Sequence, residues 1–324
     1  MSVQQTLPTV HRALVQHVYA QTLVIEDVPT PQPVPGSAIL RVEAAAVISY
    51  QRDIYNGNRQ YPYLTPLVPG SWAIGRVVTW RDSSFAQFVK VPLENCHPLD
   101  EARLCNSPAV GGLGYTIDQL VWAGMALVGY GGLRSIELQA GETIIIASAT
   151  GGFGGAATVV AVAMGACVIA MGRNTHALQC LEELSPRVHT VPISGNHDAE
   201  LRALAQFGCA DAFLDLSPPA ATDSTHLKSA IRSLRKGGRV SLMGGPSGDV
   251  AFPYRELVFK DLTLKAQWMY DTVTARDMIK LMEAGILSFD HVKLAGKFAL
   301  EQWEQAFEAA AGMKFDEVTV MSGW

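Results

Sequence analysis

A glycine-rich segment near the middle of the chain has the spacing of a phosphate-binding turn. Thr143 to Ala147 reads TIIIA, a buried strand, and Gly155 to Met164 reads as a small, apolar helix. In such a turn the second glycine lets the backbone approach a pyrophosphate, and the start of the helix offers N–H groups to the phosphates. The segment predicts a dinucleotide site, and its candidate residues are Ala149, Thr150, Gly151, Gly152, Phe153 and Gly154.

A glycine pattern alone also fits a tight strand–helix turn that binds nothing, or a flavin site. The context favours a nicotinamide dinucleotide, because the turn follows a strand and opens a helix within a unit of βαβ length. The end of the next strand reads Gly172, Arg173, Asn174, where NAD-specific sites have an Asp or Glu. Arg173 can pair with a 2′-phosphate, so we predict NADPH as the cofactor; the alternative is an exposed surface arginine.

The elements that must position this turn alternate between strands and helices over residues 123–268. Further strands are expected at Cys167–Ala170, His189–Pro192, Ala212–Leu216, Arg239–Met243 and Leu262–Ala266, and helices at Thr175–Leu184, Asp198–Phe207, Ser224–Arg235 and Pro253–Phe259. Such alternation predicts an α/β fold with a doubly wound, parallel sheet of six strands.

The flanking segments have a different residue pattern. Residues 1–122 read as short strands separated by Pro and Gly, and residues 269–324 add two helices and a last strand, EVTVM. We therefore predict a β-rich domain over 1–122 and 269–324, with the dinucleotide-binding domain, 123–268, inserted into it.

Bulk composition excludes several classes of function. The formal charge of −5 and the absence of a basic run argue against binding to nucleic acid or to a membrane surface. No signal peptide and no membrane span are expected from the hydropathy pattern. The odd count of five cysteines, with no CxxC pair, favours free thiols and a cytoplasmic location.

Several stretches together resemble the medium-chain dehydrogenase/reductase superfamily over nearly the whole chain. They are VPGSWAIGRVV, FAQFVKVP, YGGLRSIELQAGETIIIASATGGFGG, LRKGGRVSLMGG and LTLKAQWMY. The likeness is to zinc-free quinone- and enoyl-reductase-like members, including fungal alcohol-dehydrogenase-like proteins of biosynthetic pathways. It implies a β-rich, GroES-like catalytic domain beside a Rossmann domain, and a role in secondary metabolism.

The resemblance also implies what this chain lacks. Zinc-dependent relatives carry a Cys where this sequence has Ile48, and a His where it has Ser71. A catalytic zinc needs such ligands, so we predict no metal. The stretch around Thr79 and Trp80 is shorter than in relatives, which indicates either a deletion or an omitted loop.

Without a metal, another group must supply a proton or stabilise an oxyanion. Tyr50, in the loop that holds a ligand and the proton-relay hydroxyl in zinc relatives, is the candidate donor; a packed pocket wall is an equal alternative. The resemblance places Leu216, Met243, Gly244 and Gly245 at the cofactor. It places Ile48, Tyr55, Ser71, Trp268, Met269 and Tyr270 in the substrate pocket.

The expected function is an NADPH-dependent, metal-independent oxidoreductase that transfers hydride to an activated C=C bond, a quinone or a related carbonyl compound. A metal-free alcohol or aldehyde dehydrogenase is one alternative. A non-catalytic NADPH-binding sensor or partner subunit is another, since no unmistakable catalytic acid or base is present. The partner is a small molecule, and a homodimer is an expectation from the family.

Overall fold

The computed structural model describes residues 7–32, 34–61, 63–77 and 84–324, which form two compact units. The first unit contains the described residues up to Gly124 together with Ser288–Trp324, and the second contains Met125–Leu287. The short join at Thr79 and Trp80 lies outside the described residues.

The first unit is built on strands. A two-stranded antiparallel sheet pairs β1 (Val10–Val15) with β2 (Val24–Pro29). The larger sheet has the order β12-β13-β3-β4, with β5 also paired to β3. Its strands are β3 (Ser37–Val47), β4 (Ala73–Val77), β5 (Phe88–Pro92), β12 (Lys293–Phe298) and β13 (Glu317–Met321).

Four helices accompany these strands, and their apolar faces help to fill the core of the unit. Its buried side chains include Leu14, Val47, Phe85 and Phe307. A capping box between Thr116 and Gln119 starts the third helix. The helices are α1 (Gln51–Tyr55), α2 (Glu101–Cys105), α3 (Ile117–Leu120) and α11 (Trp303–Ala311).

The second unit contains six parallel strands in the order β11-β10-β9-β6-β7-β8, which confirms the predicted doubly wound sheet. The strand order reverses between β6 and β9, where ligands bind in open α/β sheets. The strands are β6 (Thr143–Ala147), β7 (Cys167–Gly172), β8 (Val188–Pro192), β9 (Ala210–Asp215), β10 (Leu234–Leu242) and β11 (Thr263–Ala266).

Helices connect these strands, and Asn or Asp side chains cap several of them. Asn174, Asn196 and Asp271 each accept a hydrogen bond from a backbone N–H in the first turn. The helices are α4 (Ala123–Ser135, from the end of the first unit), α5 (Gly152–Ala163), α6 (Thr175–Glu182), α7 (His197–Ala205), α8 (His226–Arg232), α9 (Tyr254–Phe259) and α10 (Thr272–Glu283).

Two boundaries differ from the sequence-based expectation. Helix α8 ends at Arg232 instead of Arg235, because β10 already begins at Leu234 and continues through an irregularity before Arg239. Helix α10 lies in the second unit, whereas the boundary at residues 268/269 had placed it in the first. Its Asp277 lies 3.7 Å from Arg134 of α4, a helix of the same unit.

None of the described helices is long and apolar enough to cross a membrane. All five cysteines are free.

Candidate active site

The glycine-rich turn joins β6 to α5 at the switch point of the sheet. Gly154 is tightly enclosed, since a Cβ added there would lie 1.9 Å from the carbonyl oxygen of Ser148. Gly151 is different: its φ of −91° suits any residue, and an added Cβ would find its nearest atom, the same oxygen, at 4.0 Å. The fold therefore requires glycine at 154 but leaves open space at Gly151, directly at the N-terminus of α5.

The end of β7 lies against this turn. The backbone N–H of Ala149 donates to the carbonyl of Met171 at 2.8 Å. A Cβ at Gly172 would lie 2.4 Å from the methyl group of Thr150, so this glycine permits the close approach. Arg173 is exposed, and no carboxylate of the described residues forms an ion pair with it. Asn174 caps α6 through a 3.1 Å bond from the backbone N–H of Ala177, a structural role that the sequence did not reveal.

The loops after β9 and β10 are joined to the same end of the sheet by backbone hydrogen bonds. The N–H of Leu216 donates to the carbonyl of Ala147 at 2.5 Å. The N–H groups of Met243 and Gly245 donate to the carbonyls of Asp215 and Ser217 at 3.0 and 2.9 Å. The segment 215–217 thus connects the glycine-rich turn with the predicted nicotinamide-binding loop, 243–245.

A buried polar cluster holds this connecting segment. The hydroxyl of Ser217 donates to the carboxylate of Asp215 and lies 2.7 Å from Nε2 of His226. Ser224 Oγ lies 2.6 Å from Nδ1 of the same ring. Asp215, Ser217 and His226 are each at most 3% exposed, and a Cβ at Gly244 would lie 2.4 Å from the Asp215 carboxylate.

This cluster does not have the arrangement of a hydrolytic triad. In a triad the carboxylate binds one ring nitrogen and the nucleophile binds the other. Here Ser217 and Asp215 both lie against Nε2 of His226, the carboxylate at 3.4 Å. The cluster is suited to fixing the backbone beside the predicted cofactor-binding residues. Sequence reasoning missed this cluster and singled out only its neighbour Leu216.

Residues after β11 occupy the surface of the second unit. The indole of Trp268 is 74% exposed. Met269 has a φ of +55°, and its carbonyl oxygen would lie 2.5 Å from a Cβ on Gly131 of α4. Tyr270 is half-buried, and burial raises the pKa of its phenol. The structure thus places these three proposed pocket residues together at the carboxyl end of the edge strand.

The two positions at which zinc relatives have ligands are linked by one buried amide. Gln51, which is 1% exposed, accepts a bond from the N–H of Ile48 at 2.9 Å. Its Nε2 donates to the hydroxyl of Ser71 at 3.1 Å. Gln51 is a site residue that the sequence analysis did not single out.

These side chains do not fit a catalytic zinc ion. Isoleucine offers no donor atom, and zinc in proteins prefers thiolate, imidazole and carboxylate ligands to a hydroxyl already engaged by an amide. Among the described residues, no three His, Cys, Asp or Glu side chains cluster in a way that could hold a metal.

Two tyrosines flank this linkage in the first unit. Tyr50 is half-buried at the N-terminus of α1; burial raises the pKa of its phenol, and the nearby Arg59 lowers it. Tyr55 is 8% exposed, and its hydroxyl accepts a bond from the N–H of Gly70 at 3.1 Å. Burial also raises the pKa of Tyr55. Both phenols are therefore kept protonated at neutral pH.

The structure gathers the predicted residues into two groups. The glycine-rich turn, the end of β7 and the loops after β9 and β10 share one end of the parallel sheet. Ile48, Tyr50, Tyr55 and Ser71 lie around Gln51 in the first unit.

Known proteins share this architecture. The sequence pattern of a family described as zinc-binding dehydrogenase matches residues 152–284, within the second unit. An alcohol dehydrogenase from Moraxella sp. (strain TAE123) is 23% identical over 309 residues, covering 85% of this chain and 89% of its own length. Alcohol dehydrogenase notN from Aspergillus sp. (strain MF297-2) is 24% identical, covering 94% of this chain and 95% of its own.

A solved structure extends the likeness to three dimensions. A short chain alcohol dehydrogenase from Escherichia coli CFT073, in complex with NADH, gives a TM-score of 0.80 at 15% identity. The alignment covers 98% of this chain and 100% of that one, so the β-rich, GroES-like part and the Rossmann sheet are both shared. The second unit is thus similar to zinc-binding dehydrogenases, and the chain over most of its length is similar to alcohol dehydrogenases.

Proposed function

We propose that this protein is an NADPH-dependent oxidoreductase that works without a catalytic metal and reduces an activated C=C bond, a quinone or a related carbonyl compound. The observation that carries the proposal is the linkage of Ile48, Gln51 and Ser71, which offers no zinc ligand set where zinc relatives have one. The family match over residues 152–284 does not extend to these positions, so it does not argue against metal independence.

The cofactor proposal rests on the other unit. The open space at Gly151 and the N-terminus of α5 suit a pyrophosphate. Arg173, exposed and without a carboxylate partner among the described residues, suits a 2′-phosphate. The loop 243–245, bonded to the segment 215–217, suits the nicotinamide end. A bound NADPH would supply a hydride.

The reaction class follows from what this chain can do for the acceptor. Hydride arrival leaves negative charge on the acceptor oxygen, and a conjugated acceptor spreads that charge into an enolate or hydroquinone. Tyr50 can then donate its phenolic proton, because a tyrosine phenol is protonated at neutral pH. Ser71 and Ile48 would border the same pocket.

The cofactor proposal is tested by parallel fluorescence titrations with NADPH and NADH. We expect tight NADPH binding, weaker NADH binding, and a loss of about tenfold or more in NADPH affinity on Arg173→Ala with NADH affinity unchanged. Arg202→Ala, a surface arginine on α7, is the matched control. Equal affinities of wild type and Arg173→Ala for NADPH would refute this role of Arg173.

The acceptor proposal is tested by comparing an enone and a quinone plus NADPH with an alcohol plus NADP, before and after treatment with a zinc chelator. We expect turnover of the enone or quinone, no loss with the chelator, and less than one zinc per chain by elemental analysis. Activity that falls on chelation and returns with zinc would contradict metal independence.

A second candidate is a metal-free alcohol or aldehyde dehydrogenase, and the relatives named alcohol dehydrogenase favour it. Turnover of the alcohol alone in the same assay would select it. For either activity we propose a cytoplasmic location, in keeping with five free thiols.

A further inference from the structure

The guanidinium group of Arg59 lies over the ring of Tyr50, the proposed proton donor. The guanidinium carbon of Arg59 is 4.0 Å from the centroid of the Tyr50 ring, well within the range of a cation–π contact. The backbone N–H of Arg59 donates to the carbonyl of Asp53 in α1 at 2.7 Å, which folds the chain back over the helix. Gly57 makes the turn with a φ of +82°.

The charge of Arg59 is not neutralised nearby. Arg59 is half-buried, and no carboxylate of the described residues lies within ion-pair distance of it. A partly desolvated cation without a counter-ion is stabilised when negative charge appears beside it.

The proposed reaction creates such a charge. When hydride has bonded to the acceptor carbon, the electron pair of the C=C bond moves toward the carbonyl and forms an enolate. The proton of Tyr50 then passes to the enolate, and the O–H electron pair stays on Tyr50 as a phenolate, to be reprotonated by water. The ground state pairs Arg59 with a neutral phenol, whereas the state after proton transfer pairs it with an anion, so the attraction grows along the reaction.

We propose that Arg59 is a positioning residue for Tyr50: it holds the ring from one face and stabilises the negative charge that proton donation leaves on it. This inference rests on the proposed function.

The ionisation of Tyr50 can be measured without any substrate. Burial raises the pKa of Tyr50, Arg59 lowers it, and the nearby Tyr61 and Tyr55 raise it. Protein labelled with fluorotyrosine is titrated by fluorine NMR, and the Tyr50 signal is assigned with Tyr50→Phe. We expect Arg59→Met to move the Tyr50 midpoint to higher pH, and Arg59→Lys to move it less.

Turnover of the acceptor gives the second readout. Arg59→Met should lower kcat by about tenfold or more while NADPH affinity is kept, and Arg59→Lys should restore part of the loss. In the Tyr50→Phe background, Arg59→Met should cause no further loss, because Arg59 acts through Tyr50. Unchanged NADPH binding and melting temperature would show that the variants fold.

The role of Arg59 and the proposed function can be refuted by different results. An unchanged Tyr50 midpoint in Arg59→Met would overturn the inference whatever the activity. A shifted midpoint with no reduction of any acceptor would support the pairing of Arg59 with Tyr50 and count against the proposed function instead. A full additional loss in the Tyr50→Phe background would also overturn the inference, since Arg59 would then act on something other than Tyr50.

Discussion

Gly151 and Gly154 lie in one turn but are glycines for different physical reasons. At 154 the folded chain itself excludes a side chain, because the Ser148 carbonyl would be 1.9 Å from a Cβ. At 151 the backbone angles are ordinary and the space is open. The fold therefore does not require glycine at position 151. A ligand that approaches the backbone closely at this position would require it.

This contrast gives a sharp prediction for Gly151→Ala. We expect the free energy of unfolding to change by less than about 1 kcal/mol, because no atom obstructs the added methyl group. NADPH affinity should fall by at least about tenfold, because the methyl group would occupy the path of the pyrophosphate. Thermal unfolding and fluorescence titration measure the two effects.

Gly312→Ala is the matched control, since its φ is −93° and the nearest atom to an added Cβ is 3.7 Å away in the first unit. It should leave both quantities unchanged. If Gly151→Ala also bound NADPH normally, the phosphates would have to lie elsewhere.

The residues that the sequence could predict are those whose signal is local. The turn at 149–154 and the end of β7 are read from consecutive positions, so their arrangement was predictable. Gln51 bonds to Ile48 and also to Ser71, which lies twenty residues further along the chain, and Arg59 reaches Tyr50 only through the turn at Gly57. Such contacts depend on the path of the chain in space, and this path cannot be predicted from composition and residue spacing.

At the scale of elements, the loop 243–245 depends on the buried cluster behind it. Asp215, Ser217 and His226 hold the segment 215–217, whose backbone accepts bonds from Met243 and Gly245. The Asp215 carboxylate also packs against Gly244. A change in the buried cluster should therefore alter cofactor binding from a distance.

Ser217→Ala tests this dependence. The substitution removes the hydroxyl between a buried carboxylate and a buried imidazole, which should cost about 1–3 kcal/mol of stability. We also expect NADPH affinity to fall by about tenfold as the 243–245 loop loses its support, and Ser217→Thr, which keeps a hydroxyl, to recover part of it.

Ser229→Ala is a suitable control for the same unit. Ser229 is fully buried and donates to the carboxylate of Glu200 at 2.6 Å, so its loss should destabilise the fold to a similar degree. Because that cluster has no bond to residues 243–245 among those described, NADPH affinity should remain unchanged. If Ser217→Ala and Ser229→Ala lost NADPH affinity equally, Ser217 would only stabilise the fold and would have no specific effect on the loop 243–245.

The central strands β6, β7 and β9 of the parallel sheet were predictable because they are buried and largely apolar, as in TIIIA. The first part of β10 was not, since Arg235 to Gly238 has the composition of a turn. It is a strand because Leu234 pairs with Ala210 of β9 before the irregularity. Tertiary pairing overrides local propensity at this point.

At the scale of the whole molecule, β11 ends the parallel sheet with an unpaired edge among the described residues. Two large apolar side chains near it in sequence, Phe259 and Trp268, are 69% and 74% exposed. An open edge with apolar neighbours is a site for pairing with another chain, and a second copy can satisfy it across a two-fold axis.

We therefore expect a homodimer in which the β11 edges of two copies pair. Light scattering on the eluting protein at micromolar concentration should give twice the mass of the 34.9 kDa chain. The outward amides of β11 should exchange slowly in hydrogen–deuterium exchange. A monomer at that concentration, with rapid exchange along β11, would contradict this expectation.

The position of β13 has a consequence for how the protein is made. This strand lies between β12 and β3, yet it is contributed by residues 317–321. During synthesis on the ribosome, β3 can pair early with β4 and β5, but its remaining partner β13 emerges only after almost the entire chain. The second unit, continuous from Met125 to Leu287, has all its strands available earlier. The second unit can therefore fold first, while the first unit is completed last.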